Sequence, residues 1–104
     1  MRVQFHVAAL QEFRHERQFY NGKARGLGDR LIALVDEALA AIAQAPLSFP
    51  ADEKHPRARR ARLLGRFPHA VVFRVLDEQD TLVIIALEHP RRRPRYWVNR
   101  LRGR

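Results

Sequence analysis

The chain has 104 residues, 46% of them apolar, no cysteine and a formal net charge of +9 at pH 7. That is enough for one domain, residues 1–104, with a single modest core. It excludes disulfides, thiol nucleophiles and thiolate metal sites, and no stretch is apolar for long enough to cross a bilayer. The charge is lopsided: residues 1–53 hold 6 Lys/Arg against 7 Asp/Glu, net −1, while residues 54–104 hold 14 against 4, net +10. A cationic half of this kind points to a polyanionic partner: nucleic acid, an acidic protein segment or anionic lipid. The N-terminus lacks the apolar core of a signal peptide, so the expected compartment is the cytoplasm.

Val3, Phe5 and Val7 alternate with Arg2, Gln4 and His6, the period of a half-buried strand. From Ala8 the period changes. Ala9/Leu10, Phe13, Arg17 and Phe19/Tyr20 recur at helical spacing, which predicts a helix over Ala8 to Tyr20, ended by Asn21-Gly22. A second helix is predicted from the stripe Leu27, Leu31, Leu34, Val35, Ala38, Leu39 and Ile42. Asp29 sits in its first turn, where a carboxylate suits the positive end of the helix dipole, and Pro46 stops it. A short Gly-containing link between the two implies a helix hairpin laid on a sheet.

Pro46 to Pro56 reads as a proline-punctuated connection, with Leu47 and Phe49 able to pack beneath it. Three strands follow: Arg59 to Leu64, Ala70 to Leu76 and Thr81 to Leu87. Gly65 to Pro68 and Asp77 to Asp80 are hairpin-length links, so these strands should be antiparallel neighbours. In the first, Arg60 and Arg62 share one face while Ala61 and Leu63 take the other. The other two are apolar on both faces, as strands with covered faces are. Beyond Pro94, Tyr96, Trp97 and Leu101 anchor a short C-terminal turn or helix. The expected fold is α+β in the order β-α-α-β-β-β, a helix hairpin packed on a twisted antiparallel sheet.

Few chemistries survive inspection. His6, His15, His55, His69 and His89 show no HxxxH or HExxH spacing, so any metal site would have to form from distant residues; they read as surface or edge histidines, with no metal and no cofactor expected. Gly26-Leu27-Gly28 lacks the third glycine and the lysine of a phosphate loop and reads as a helix-start turn. Ser48 is the only serine and lies in no G-x-S-x-G frame. The acidic residues read as outer-face or turn positions, such as Asp36, Glu37 and Asp77 to Asp80. What remains is cationic: Arg60, Arg62, Arg74, Arg91, Arg92, Arg93 and Arg95, with His89, Tyr96 and Trp97. Guanidinium forks bind phosphate or carboxylate bidentately, and an adjacent aromatic offers a stacking platform. The expectation is that these arginines converge on one electropositive patch, with Tyr96 and Trp97 packed as a C-terminal plug.

The run Arg66-Phe67-Pro68-His69-Ala70-Val71-Val72-Phe73-Arg74-Val75, followed by Ile84-Ile85-Ala86-Leu87-Glu88-His89-Pro90-Arg91-Arg92-Arg93-Pro94-Arg95-Tyr96-Trp97, resembles the signature of RelE/ParE-family toxins. Tyr20, Gly26-Leu27-Gly28, Ile42 and Pro46 resemble the first half of that signature, so the likeness spans nearly the whole chain. It implies the toxin of a type II toxin–antitoxin module, neutralised by an antitoxin whose acidic C-terminal segment wraps around it. Two activities occur in the family. ParE-like members poison DNA gyrase without a known hydrolytic site, and RelE-like members cut mRNA on the ribosome. The ending His89…Tyr96-Trp97, the single lysine Lys54 in the basic half and Ala70 where a catalytic arginine would align side with ParE. That reading assigns no catalytic residue and gives target or anion binding to Arg60, Arg62, Arg74, Arg91, Arg92, Arg93, Arg95 and Trp97. The ribonuclease alternative would use Arg60, Arg62, His89, Arg92 and Tyr96 to stabilise a pentavalent phosphate and move a proton. A non-toxic nucleic-acid-binding module is the third reading.

Overall fold

A computed structural model describes residues 1–102. Strand β1 spans Arg2–Phe5, helix α1 Val7–Lys23 and helix α2 Leu27–Gln44; strands β2, β3 and β4 span Ala58–Arg62, Ala70–Leu76 and Thr81–Glu88. The expected order of elements is therefore present. The sheet runs β1-β4-β3-β2. The β2-β3 and β3-β4 pairs are antiparallel as expected, whereas β1 lies parallel to β4. The sheet is thus mixed rather than wholly antiparallel. Between β1 and the meander the chain makes a long helical crossover, and such a crossover permits a parallel neighbour.

All seven residues of the predicted α2 stripe, Leu27 through Ile42, belong to the core formed with α1 and one face of the sheet. Helix α1 runs a turn beyond its predicted end because Asn21 does not stop it. Instead the Asn21 side-chain oxygen accepts hydrogen bonds from the backbone N–H of Gly28 (2.7 Å) and Asp29 (3.2 Å), capping the start of α2 from the neighbouring helix. Gly26, at φ 78°, is the left-handed residue that opens α2, a conformation glycine adopts at no steric cost. A Cβ on Gly28 would lie 1.9 Å from the Arg17 carbonyl oxygen, so the two helices approach backbone to backbone at that point. Phe19 and Leu47, expected to pack, are 46% and 66% exposed, and Val3 and Val7 also face solvent. Phe5 and Phe49 do pack, edge-on to Phe13 and Phe73.

The other face of the sheet is covered by the C-terminal segment. Trp97 and Leu101, 0% and 2% exposed, pack on Ala58, Val72, Val83, Ile85 and Ala86. Those two faces explain why β3 and β4 are apolar on both sides. One irregularity matters for the site. Val72 pairs with Ala86 but Phe73 pairs with Ile84, so Ile85 is an extra residue in β4. Leu82 and Ile84 face the helices, Ile85 and Ala86 both face Trp97, and Leu87 faces the helices again. This is a β-bulge, in which two residues of one strand oppose one of its partner.

Candidate functional site

Three clusters of polar side chains surround the C-terminal half, and each draws on residues far apart in sequence. The first lies on the Trp97 face. Arg60 places Nε 2.7 Å from Glu88 Oε1 and Nη2 3.3 Å from Asp52 Oδ1, and Arg95 Nε donates to Asp52 Oδ2 at 2.9 Å. The Trp97 indole donates to Glu88 Oε2 at 2.7 Å. Asp52 is 3% exposed and also accepts from the backbone N–H of Lys54 and His55. Burial opposes its ionisation, but the bonds from Arg95, the two backbone amides and Arg60 outweigh that and hold the carboxyl well below the usual range. In turn the Glu88 contact, against a cost of desolvation, raises Arg60 above its ordinary value. Arg95 adopts a left-handed backbone, φ 57°, at the bend that sends Trp97 under the sheet. Its ion pair with Asp52 helps to hold that sparsely populated conformation.

The second cluster joins α1 to the C-terminus. Glu12 accepts hydrogen bonds from the backbone N–H of Leu87 (3.0 Å), from both Arg100 terminal nitrogens (3.1 and 2.9 Å) and from the Tyr96 hydroxyl (3.0 Å). The Tyr96 ring carries Arg92 at 3.9 Å and Arg100 at 5.2 Å from its centroid. Burial, the Glu12 charge and the Glu12 hydrogen bond together push the phenol far above its ordinary value, so it is protonated throughout the physiological range.

The third cluster sits between α1 and the ends of β3 and β4. His69, 1% exposed, is bonded through Nε2 to Glu16 Oε1 at 2.6 Å. The His89 ring stands edge-on to it, with centroids 4.8 Å apart, and its Nδ1 accepts from the Arg91 backbone N–H at 3.0 Å. Burial and the His69 ring depress the His89 pKa, with Glu16 working against them. Glu16 and His89 line a groove of about 940 Å³ that runs along α1 past Phe19, Lys23, Arg91 and Arg92.

These positions correct several expectations. The guanidinium groups do not merge into one electropositive patch. Arg60 and Arg95 are neutralised by Asp52 and Glu88, and Arg74 donates to the Leu101 carbonyl, fastening the C-terminal turn. Arg92 stacks on Tyr96, and Arg62, Arg91 and Arg93 remain exposed. Trp97 is buried and offers no stacking platform; with Tyr96 and Leu101 it forms the expected plug. His69 is a core residue rather than a surface one, and the histidines His69 and His89 do converge on a carboxylate. Glu12, Glu16, Asp52, Glu88 and Arg100 were missed as site residues. A carboxylate at i and i+4 on the inner edge of α1, Glu12 and Glu16, was the available signal.

The family model described as "ParE toxin of type II toxin-antitoxin system, parDE" matches residues 3–94. Among solved structures the chain is similar to the intact Escherichia coli RelBE toxin–antitoxin complex, with TM-score 0.67, 18% identity, 88% of this chain and 98% of that chain covered. It is also similar to the isolated E. coli RelE toxin, with TM-score 0.65, 19% identity, 96% of this chain and 97% of that chain covered. No curated protein matches the sequence. At those identities the two structures establish a shared fold, and the match over residues 3–94 establishes the family. The chain belongs to the ParE toxin family of type II toxin–antitoxin systems.

Proposed function

We propose that this protein arrests growth by binding DNA gyrase in the cytoplasm, without bond chemistry of its own, until a cognate antitoxin neutralises it. The observation that carries this reading is the engagement of Arg60 and Tyr96, two groups a ribonuclease would need free. Arg60 is spent on Glu88 and Asp52. The Tyr96 hydroxyl is spent on Glu12 with its pKa raised by burial, so at neutral pH it is a poor proton acceptor. Of the predicted arginines, Arg62, Arg91 and Arg93 are exposed and without a carboxylate partner among the described residues, and so are available to a target.

The antitoxin is a separate chain whose acidic, partly helical segment occupies the groove along α1. Apolar Phe19 and cationic Lys23, Arg91 and Arg92 line that groove. Such a segment presents apolar anchors flanked by carboxylates. Its extended part pairs with an open strand edge, β1 or β2.

Two assays run together test the target. The purified chain should inhibit supercoiling by purified gyrase and leave ribosome-bound mRNA uncut. Unaltered supercoiling with cleavage of mRNA in the ribosomal A site would replace this reading with the ribonuclease one. Salt-steep binding to nucleic acid without growth arrest would replace both.

A further inference from the structure

We propose that Glu16, His69 and His89 form a binding site for a divalent metal ion of the zinc type. The three residues come from α1, from the residue before β3 and from the residue after β4. Each offers one ligand atom, and those atoms lie within 4.8 Å of one another. Two imidazoles and a carboxylate are a donor set suited to zinc, whereas magnesium and calcium prefer oxygen-rich shells.

A tetrahedral ion with bonds of about 2.0–2.1 Å needs its ligand atoms about 3.3 Å apart, so the cluster must contract. His69 is fixed by its burial, but Glu16 and His89 are only partly buried and can close on it. Glu16 swings on three torsions, and His89 turns at most at the expense of the Arg91 amide bond. The ion takes the place of the His69 Nε2–Glu16 Oε1 hydrogen bond, and His69 ligates through Nε2 as the neutral ring that carries its hydrogen on Nδ1. Glu16 and His89 also line the groove along α1. A fourth coordination position is therefore open to water or to a ligand atom from whatever occupies the groove.

The identity of residue 69 is a second, independent observation. Its ring packs among Tyr20, Phe67 and His89, a setting in which an aromatic hydrocarbon would leave no buried atom of its own unsatisfied. Instead it is an imidazole, fully buried, whose Nδ1 is the one buried side-chain nitrogen or oxygen among the described residues with no partner. Such an orphan is retained at a cost in stability. The compensating gain lies at the other nitrogen, which faces Glu16.

The test is zinc titration of the purified, untagged full chain against a chromophoric chelator, with magnesium as a parallel arm. One equivalent of zinc should bind, magnesium should not, and Glu16→Gln and His89→Gln should each weaken zinc at least about tenfold. His15→Gln, which alters the exposed neighbour of Glu16, should leave affinity unchanged. Histidine ring resonances of the wild-type chain give a readout that no variant's folding can obscure: zinc should move His69 and His89 and spare His6 and His55. No saturable binding, equal binding in both variants, or shifts confined to other histidines would overturn the proposal.

Discussion

Tyr96 donates its phenol hydrogen to Glu12 Oε2 at 3.0 Å across 84 residues of chain. Glu12 is simultaneously the acceptor for Arg100 and the Leu87 amide, so the two members of this bond are not equivalent. Tyr96→Phe removes one donor, leaves Glu12 satisfied by the others, and should cost about 1 kcal/mol. Glu12→Ala strands a half-buried guanidinium and an amide, and should cost about 3–5 kcal/mol. Urea unfolding of both variants measures the difference. Tyr96→Phe should retain growth arrest if the proposed binding to gyrase, which assigns the hydroxyl no role, is the mode of action; a non-toxic, well-folded Tyr96→Phe protein would favour the ribonuclease.

Asp52 makes stability depend on acid pH. Its folded-state pKa is depressed by Arg95, two backbone amides and Arg60, so the unfolded chain takes up a proton first as pH falls. The contribution is complete above the unfolded value of about 3.9 and disappears as pH drops through the folded one. Asp52→Asn should therefore destabilise the protein by about 1–3 kcal/mol at pH 7. In urea titrations at descending pH the gap between mutant and wild type should narrow below about pH 4.

Two glycines in the helix hairpin should respond with opposite signs. Gly22 is helical, with nothing within 4 Å of an added Cβ, and Gly22→Ala should stabilise by about 0.5–1 kcal/mol through backbone entropy. Gly28→Ala would drive a methyl into the Arg17 carbonyl and push the helices apart. Overpacking of that kind costs about 1–3 kcal/mol or more. Thermal melts of the pair check both signs.

Exposed arginines separate target binding from folding. Arg91→Glu with Arg93→Glu touches no ion pair among the described residues, so stability should change by no more than about 1 kcal/mol. On the proposed gyrase reading, inhibition should fall at least about tenfold, chiefly through slower association. Arg60→Ala should do the reverse, lowering the melting temperature because it leaves Glu88 and Asp52 facing each other without their shared cation.

The helix stripe from Leu27 to Ile42 and the antiparallel meander were legible because each is written in a local period. The plug was legible from two large aromatics after Pro94. The site was not. Glu12, Asp52 and Glu88 acquire their roles from partners up to 88 residues distant, and no spacing rule reaches that far. The arginines misled for the same reason: counting formal charge on a chain reveals nothing about which cations folding will cancel. His69 was read as a surface or edge residue because no ligand spacing along the chain marks it, whereas its side chain is buried.

Ile85 acts as a parity switch for everything downstream. If every residue of the strand were kept and alternated regularly from Ile84, with no bulge, Glu88 would face the helices and His89 would face Trp97, so that each would meet the other's partners. Deleting Ile85 would leave both on their present faces, whereas deleting Leu87 would exchange them and break two distant constellations at once. A deletion at Leu87 should accordingly be far less tolerated than one at Ile85.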